Sequence, residues 1–209
     1  MIVAIDGPAG AGKSTVAKLL ADRLGFRYLD TGAMYRAVTW LARERGLDLD
    51  DEEAVAGLAR ANPVMLDGDR VTIAGHDVSD AIRDVEVDRI VSTVARHPAV
   101  REIMRERQRE LAAEGDAVIE GRDIGRVVCP GADVKVFLVA HADERARRRT
   151  AERPGIGEDA LATDLRLRDE RDAPQLLAAP DAETIDTTEL AVEKVVAQIE
   201  AMIAARAQA

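Results

Sequence analysis

Cys129 is the only cysteine among 209 residues, so no intrachain disulfide can form and no multi-thiolate zinc site can be built. A reducing compartment suits such a chain. No apolar run approaches the roughly 20 residues of a membrane span, and Asp6 with a glycine-rich stretch stands where a signal peptide would carry its apolar centre. The expected location is therefore the cytoplasm. His76, His97 and His141 never recur at the i,i+4 spacing that puts two ligands on one helix face, which favours surface or capping roles over metal binding. Positive charge is short as well. At a net charge of −10 the field of the whole chain repels nucleic-acid backbones and anionic membranes, so neither is an expected partner. With 47% hydrophobic residues the chain can bury one sizeable core, and a single domain with small insertions is expected.

What the sequence does contain begins at its seventh residue. Gly7-Pro8-Ala9-Gly10-Ala11-Gly12-Lys13-Ser14 fills every fixed position of the pattern G-x-x-x-x-G-K-[ST], directly after the apolar run Ile2-Val3-Ala4-Ile5-Asp6. Glycines permit positive backbone torsions, so successive N–H groups can curl round a phosphate at the start of a helix. Lys13 then reaches the β- and γ-phosphates, and the Ser14 hydroxyl can ligand Mg²⁺. A nucleoside triphosphate, held by residues Gly7 through Ser14 with Thr15 beside them, is the first ligand this pattern implies.

Downstream, Val16, Leu19, Leu20 and Leu24 recur at helical spacing until Gly25, which completes a β-loop-α unit. Arg27-Tyr28-Leu29 reads as a second strand, Thr31–Arg45 as a helix stopped by Gly46, and Leu49–Ala61 as another helix. The character then changes. Val64-Met65-Leu66 and Val71-Thr72-Ile73, joined by Asp67-Gly68-Asp69 and followed by a turn at Gly75, read as a small antiparallel ribbon. Helices are expected at about Val85–Arg96 and Pro98–Ala113, the latter opened by a proline whose missing N–H is harmless there. Ala117-Val118-Ile119 and Val134–Val139 look like buried parallel strands. A basic helix at Asp143–Arg153, a break at Pro154-Gly155-Ile156-Gly157, a charged helix to about Arg171, a strand at Thr184–Asp186 and an alanine-rich final helix complete the pattern. Strands alternating with helices predict an α/β fold with a parallel sheet covered on both faces.

The loop alone does not choose among switches, motors, transporters and small-molecule kinases. Guanine readers carry Asn-Lys-x-Asp, but Asn62 is the only asparagine and no lysine follows it; the Ser-Gly-Gly signature of transporter ATPases is missing too. What remains is a compact chain rich in arginine near its expected loops: Arg36, Arg83, Arg101, Arg122, Arg126, the run Arg145–Arg153, and Arg166–Arg171. Moving a phosphoryl group between two anionic substrates needs such a supply of cations. A small kinase is the economical reading. Its rivals are a kinase for another small acceptor, such as a different nucleoside monophosphate or a shikimate-like alcohol with Asp30 or Asp123 as base, and an ATP-dependent RNA-binding or regulatory module using Arg145–Arg149.

Further segments resemble the bacterial cytidylate kinase family from the first strand to the last helix. They are Ile5-Asp6-Gly7-Pro8, Leu29-Asp30-Thr31-Gly32-Ala33-Met34-Tyr35-Arg36, Asp77-Val78-Ser79 with Ile82-Arg83, Pro98-x-Val100-Arg101, Glu120-Gly121-Arg122-Asp123-Ile124-Gly125, and Arg168-Asp169-Glu170-Arg171-Asp172. Adenylate kinases would instead show an Asp-Gly-Phe-Pro-Arg-like segment near Glu120 and no ribbon insert. The resemblance implies an α/β P-loop kinase in one domain, residues 1–209, with a five-stranded parallel sheet. It adds a small β-containing insert for the monophosphate at about 63–101 and a lid at about 150–171.

The activity implied is transfer of the γ-phosphoryl of ATP to CMP or dCMP with Mg²⁺; a monomer is expected, since one chain and its lids can enclose both substrates. A phosphate monoester with a second pKa of about 6 is already ionised at neutral pH, so positioning and charge neutralisation are the tasks left. By resemblance Lys13, Arg122, Arg168 and Arg149 act on the migrating group, and Arg36, Arg122 and Arg168 clamp the acceptor phosphate. Asp172 faces the sugar, and Ser92, Arg101 and Asp123 read cytosine. Carboxylate and hydroxyl oxygens accept from its exocyclic amine, and a guanidinium donates to its carbonyl and ring nitrogen. Thr31 matches a small hydroxyl position, with helix capping as its alternative. Arg145 and Arg149, one turn apart, face ATP unless Glu144 and Glu152 pair with them. Ser14 ligands Mg²⁺, and Glu120 is a water-mediated candidate. One departure stands out: many relatives carry a further arginine after the segment ending at Asp172, where this chain runs Ala173-Pro174-Gln175-Leu176, so that either the phosphate clamp is one cation lighter or a lid arginine such as Arg171 substitutes.

Overall fold

The computed structural model describes residues 1–153 and 155–207; Pro154, which opens the expected break, lies outside them. In chain order the elements are β1 (Ile2–Asp6), α1 (Lys13–Leu24), β2 (Arg27–Asp30), α2 (Thr31–Glu44), α3 (Glu52–Ala61), β3 (Met65–Asp67), β4 (Arg70–Ile73), β5 (His76–Asp77), α4 (Val85–Ala95), α5 (Pro98–Ala113), β6 (Ala117–Gly121), β7 (Val134–Val139), α6 (Ala142–Glu152), α7 (Glu158–Asp172), β8 (Glu183–Asp186) and α8 (Val192–Arg206). A 3-10 turn at Ala81–Arg83 and a π-helical turn at Ile124–Val128 complete them. Among the described residues no helix is long and apolar enough to cross a membrane.

The chain divides into two compact units, one of residues 1–28 with 115 onward, the other Leu29–Glu114. In the first, the strands run in the order β2-β6-β1-β7-β8. β1 lies parallel to β6 and β7, and β8 lies parallel to β7. The core sits where Val3, Ile5, Val118, Val136, Leu138 and Ile185 of the sheet meet Val16, Ala17 and Leu20 of α1 and Val195, Val196 and Ile199 of α8. These are the apolar runs that alternate with helical stripes in the sequence. The connection leaving β1 runs toward the β2 edge of the sheet and that leaving β6 toward the β8 edge, which makes the carboxyl end of β1 a topological switch point, where open α/β sheets bind ligands.

The second unit holds the ribbon. β3 and β4 pair with Leu66 opposite Val71, and β5 adds a third strand the sequence pattern did not reveal, through a two-residue turn with Ala74 and Gly75 both at positive φ (51° and 78°). Its helices bury Met34, Val38 and Leu41 of α2, Val55 of α3, Val91 and Val94 of α4, and Val100 and Met104 of α5. The helix expected from Leu49 begins instead at Glu52, because the Asp51 carboxylate accepts from the Ala54 N–H and fixes the start there.

Candidate active site

The glycine-rich loop leaves β1 at Gly7, whose φ of 146° and close approach to β7 leave no room for a side chain; a Cβ would overlap the Leu138 carbonyl. Gly12, at φ 87°, enters α1 in the left-handed region and offers no side chain to cap it. The N–H groups of Lys13, Ser14 and Thr15 therefore have no acceptor one turn earlier, and the helix dipole adds partial positive charge at the same point. Loop carbonyls are drawn away from that cradle. Lys13 Nζ donates to the Pro8 carbonyl (2.8 Å), Arg122 to that of Gly7 (2.9 Å), Arg145 to that of Ala9 (3.1 Å), and the Thr187 hydroxyl to that of Ala11 (3.1 Å). The result is a preformed anion nest.

Cations crowd beside it. Arg122, at the end of β6, and Arg168, on α7, converge on one carboxylate oxygen of Asp172, at 3.0 and 3.7 Å. Burial, followed by repulsion from Arg122 and Arg168, lowers Lys13 to about 7, with Glu120 and Asp6 opposing. Burial and then Arg168 lower Arg122 to about 10, against Asp172, Asp169 and Glu120. Cations held below their ordinary pKa next to an N–H cradle are a site short of negative charge.

Glu120 is buried at the end of β6 and accepts from the Tyr28 hydroxyl. The exposed Ser14 hydroxyl stands at the start of α1. Among the described residues no group of three or more His, Cys, Asp or Glu gathers to cage a metal. A hydroxyl or a lone carboxylate suits a divalent ion that keeps most of its ligands as water or phosphate.

On α6, Arg145 lies over Gly10, where a Cβ would come within 3.0 Å of its own, and pairs with Asp169 at 2.6 Å. Arg149, one turn on, pairs with Glu152 (2.9 Å). Glu144, considered as a partner for Arg145, instead takes Arg147 and Arg148, and Arg148 reaches the Thr187 carbonyl at 2.6 Å. Arg171 is exposed on α7. Asp123 is buried in the connection after β6.

The second unit holds the other residues singled out by sequence. Asp30 caps α2, accepting from the Ala33 N–H (2.8 Å), and also binds Arg36 at 2.9 Å. Thr31 is thus the first helical residue and not the cap. Ser92 is buried on α4. Buried Arg101 of α5 lies 5.9 Å from the Tyr35 ring centroid and donates to the Ala95 carbonyl, three residues along α4 from Ser92. Sequence reading passed over Tyr28, Thr187, Arg148 and Asp169 and gave Asp6 no role. Asp6 and Thr187 stand at or just past the carboxyl ends of strands, which was the available signal; the others carry none.

Residues 3–205 match the cytidylate kinase family model. The chain is 51% identical to cytidylate kinase of Limosilactobacillus fermentum, covering 94% of this chain and 92% of that one, and 49% identical to that of Geobacillus kaustophilus, covering 94% and 93%. A cytidylate kinase of Bacillus licheniformis is 45% identical over 100% of this chain and 98% of its own. Two solved structures share the fold at low identity. An uncharacterized protein from Eubacterium ventriosum gives a TM-score of 0.57 at 14% identity, covering 97% of this chain and 98% of that one. Shikimate kinase from Bacteroides thetaiotaomicron gives 0.53 at 19%, with the same coverage. With its phosphate loop, its crowded cations and a family match over nearly its whole length, this chain belongs to the cytidylate kinase family.

Proposed function

We propose that this chain transfers the γ-phosphoryl group of ATP to CMP or dCMP, releasing ADP and CDP or dCDP. The observation that carries the reading is the set of cations beside the phosphate loop: burial and mutual repulsion hold Lys13 and Arg122 below their ordinary pKa, and Arg168 reaches the same Asp172 carboxylate as Arg122. A triphosphate tail in the N–H cradle and a monophosphate tail on Arg122, Arg168 and Arg36 would supply opposing anions. The acceptor oxygen is already ionised at neutral pH, so in-line placement and charge neutralisation replace a general base. Arg145 and Arg149 serve the ATP side, and Asp172, besides balancing the two arginines, faces the sugar. Ser14, with Glu120 through water, would hold Mg²⁺, which would supply positive charge to offset that of the phosphates.

Base choice is assigned to Ser92, Arg101 and Asp123, with Thr31 as a small polar neighbour. A uracil ring presents a carbonyl where cytosine presents an amine, so acceptors placed for that amine would stay unpaired, and UMP is discriminated against. In this reading the segment at about 63–101 is the monophosphate-binding insert and that at about 150–171 serves as the lid. The single cysteine suits a cytoplasmic enzyme, and the presence of both substrate sets in one chain suits a monomer. Initial rates with CMP, dCMP, UMP, AMP and shikimate, each with ATP, test the proposal. A preference for anything but a cytidine nucleotide overturns it.

A further inference from the structure

Asp6 ends β1 and is 5% exposed, yet it has no part in the transfer described above. A carboxylate is buried at high cost unless its oxygens are hydrogen-bonded. Both are. Oδ1 accepts from the Ile124 N–H and Oδ2 from the Gly125 N–H, each at 2.8 Å. Those two groups open the π-helical turn Ile124–Val128, where the first N–H groups have no acceptor within the turn. The neighbouring Asp123 side chain does not cap it. Asp6, 118 residues before Ile124 in the chain, therefore does the work of a local cap.

A third bond joins the same two segments, because the Arg122 guanidinium donates to the Gly7 carbonyl at 2.9 Å. Arg122 through Gly125 is thus tied at three points to the residues where the strand becomes the phosphate loop. From the other side Gly125 rests on Lys135 of β7, where even a Cβ would come within 3.2 Å of the lysine stem. The turn has little room to slide. Two residues assigned to the acceptor, Arg122 and Asp123, lead directly into it.

We propose that Asp6 is a positioning residue for the acceptor: its carboxylate sets the Arg122–Gly125 turn in register with the phosphate loop. In-line transfer loses rate steeply when a group is displaced by an ångström, so a fixed register between the two substrates' binding residues has a direct kinetic value. The role rests on the proposed phosphoryl transfer for what Arg122 and Asp123 hold; the fastening itself does not.

Asp6→Asn tests it, since the amide keeps the size but turns a donor toward one of the two N–H groups. The KM for CMP should rise about tenfold or more and the preference for CMP over UMP should fall, while ATP affinity, measured calorimetrically, changes by clearly less than the KM for CMP. Amide exchange at Ile124 and Gly125 should quicken, with Ile119 and Val136 in the strands unchanged. A variant that keeps the wild-type KM and base preference, or loses ATP and CMP binding equally, overturns the positioning role. Should the variant not fold, the ligand-free wild-type protein decides: Ile124 and Gly125 must be protected as strongly as the strand amides, and exchange on a loop timescale refutes the fastening. Wild-type protein that ignores CMP defeats the proposed function instead, and the exchange comparison still judges the role of Asp6 in holding the turn.

Discussion

Binding of ATP should draw a proton from solvent onto Lys13. Burial first, and then the charges of Arg122 and Arg168, hold this ammonium at about 7 instead of its ordinary 10.5, while Glu120 and Asp6 pull the other way. That difference corresponds to on the order of 4–5 kcal/mol withheld from the charged form. Several negative charges placed in the cradle cancel the repulsion and offset the lost hydration, so the bound lysine returns toward its ordinary value. At pH 8 a group titrating near 7 is about one-tenth protonated, and binding then takes up about 0.9 proton; at pH 7 the uptake is about 0.5. By pH 8 the terminal phosphate, with a pKa of about 6, is itself ionised and adds little. Titration calorimetry with ATP at pH 8 in Tris and in HEPES, whose ionisation heats differ, reads the uptake directly. Equal binding heats in the two buffers would refute the reasoning. The same group makes a signed contribution to folding: between about pH 7 and 10.5 the unfolded chain holds the proton more often, so this lysine adds stability as pH rises through that window.

Further outcomes follow from particular contacts. Asp169→Ala removes the carboxylate bound to Arg145 at 2.6 Å; the loss of a charge-assisted bond of about 1.5–3 kcal/mol should raise the KM for ATP at least about tenfold at saturating CMP, and an unchanged value would show that the pair is only structural. Arg101→Ala, which also strips the cation from the Tyr35 ring, should reduce the ratio of kcat/KM for CMP to that for UMP by about a hundredfold, measured with both acceptors under identical ATP. Gly7→Ala forces a methyl group toward the Leu138 carbonyl at a φ of 146° and should cost on the order of 3 kcal/mol, seen as a lower thermal midpoint; an unaltered midpoint would mean that the loop has room to shift.

Much of the architecture could be read before folding because it repeats local rules. The helix after the loop runs on apolar spacing and stops at Gly25, which adopts the left-handed φ of 66° and donates to the Ala21 carbonyl. α5 begins at Pro98 as the proline required. The misses were equally physical. β5 is two residues long, too short for any periodicity to register. The π-helical turn carries no local cap signal, since its capping carboxylate lies on another strand. The sequence offered Thr31 as a cap; only the backbone geometry, with Asp30 extended at φ −83° and ψ 95° and accepting from the Ala33 N–H, selects the aspartate one residue earlier.

The sequence by itself determined the chemistry available: a loop that cradles phosphate, a lysine and serine at its end, and a surplus of arginines near strand ends in a family pattern. Such properties are set by residues close together in the chain, through backbone torsion and periodicity. Tertiary structure decided how those groups act on one another: that Arg122 and Arg168 share Asp172, that Arg145 pairs with Asp169 while Arg149 pairs with Glu152, and that burial beside two arginines holds Lys13 below its ordinary pKa. Charge and hydrogen bonding act through space, and only the sheet order sets Gly121, at the end of β6, beside Asp6.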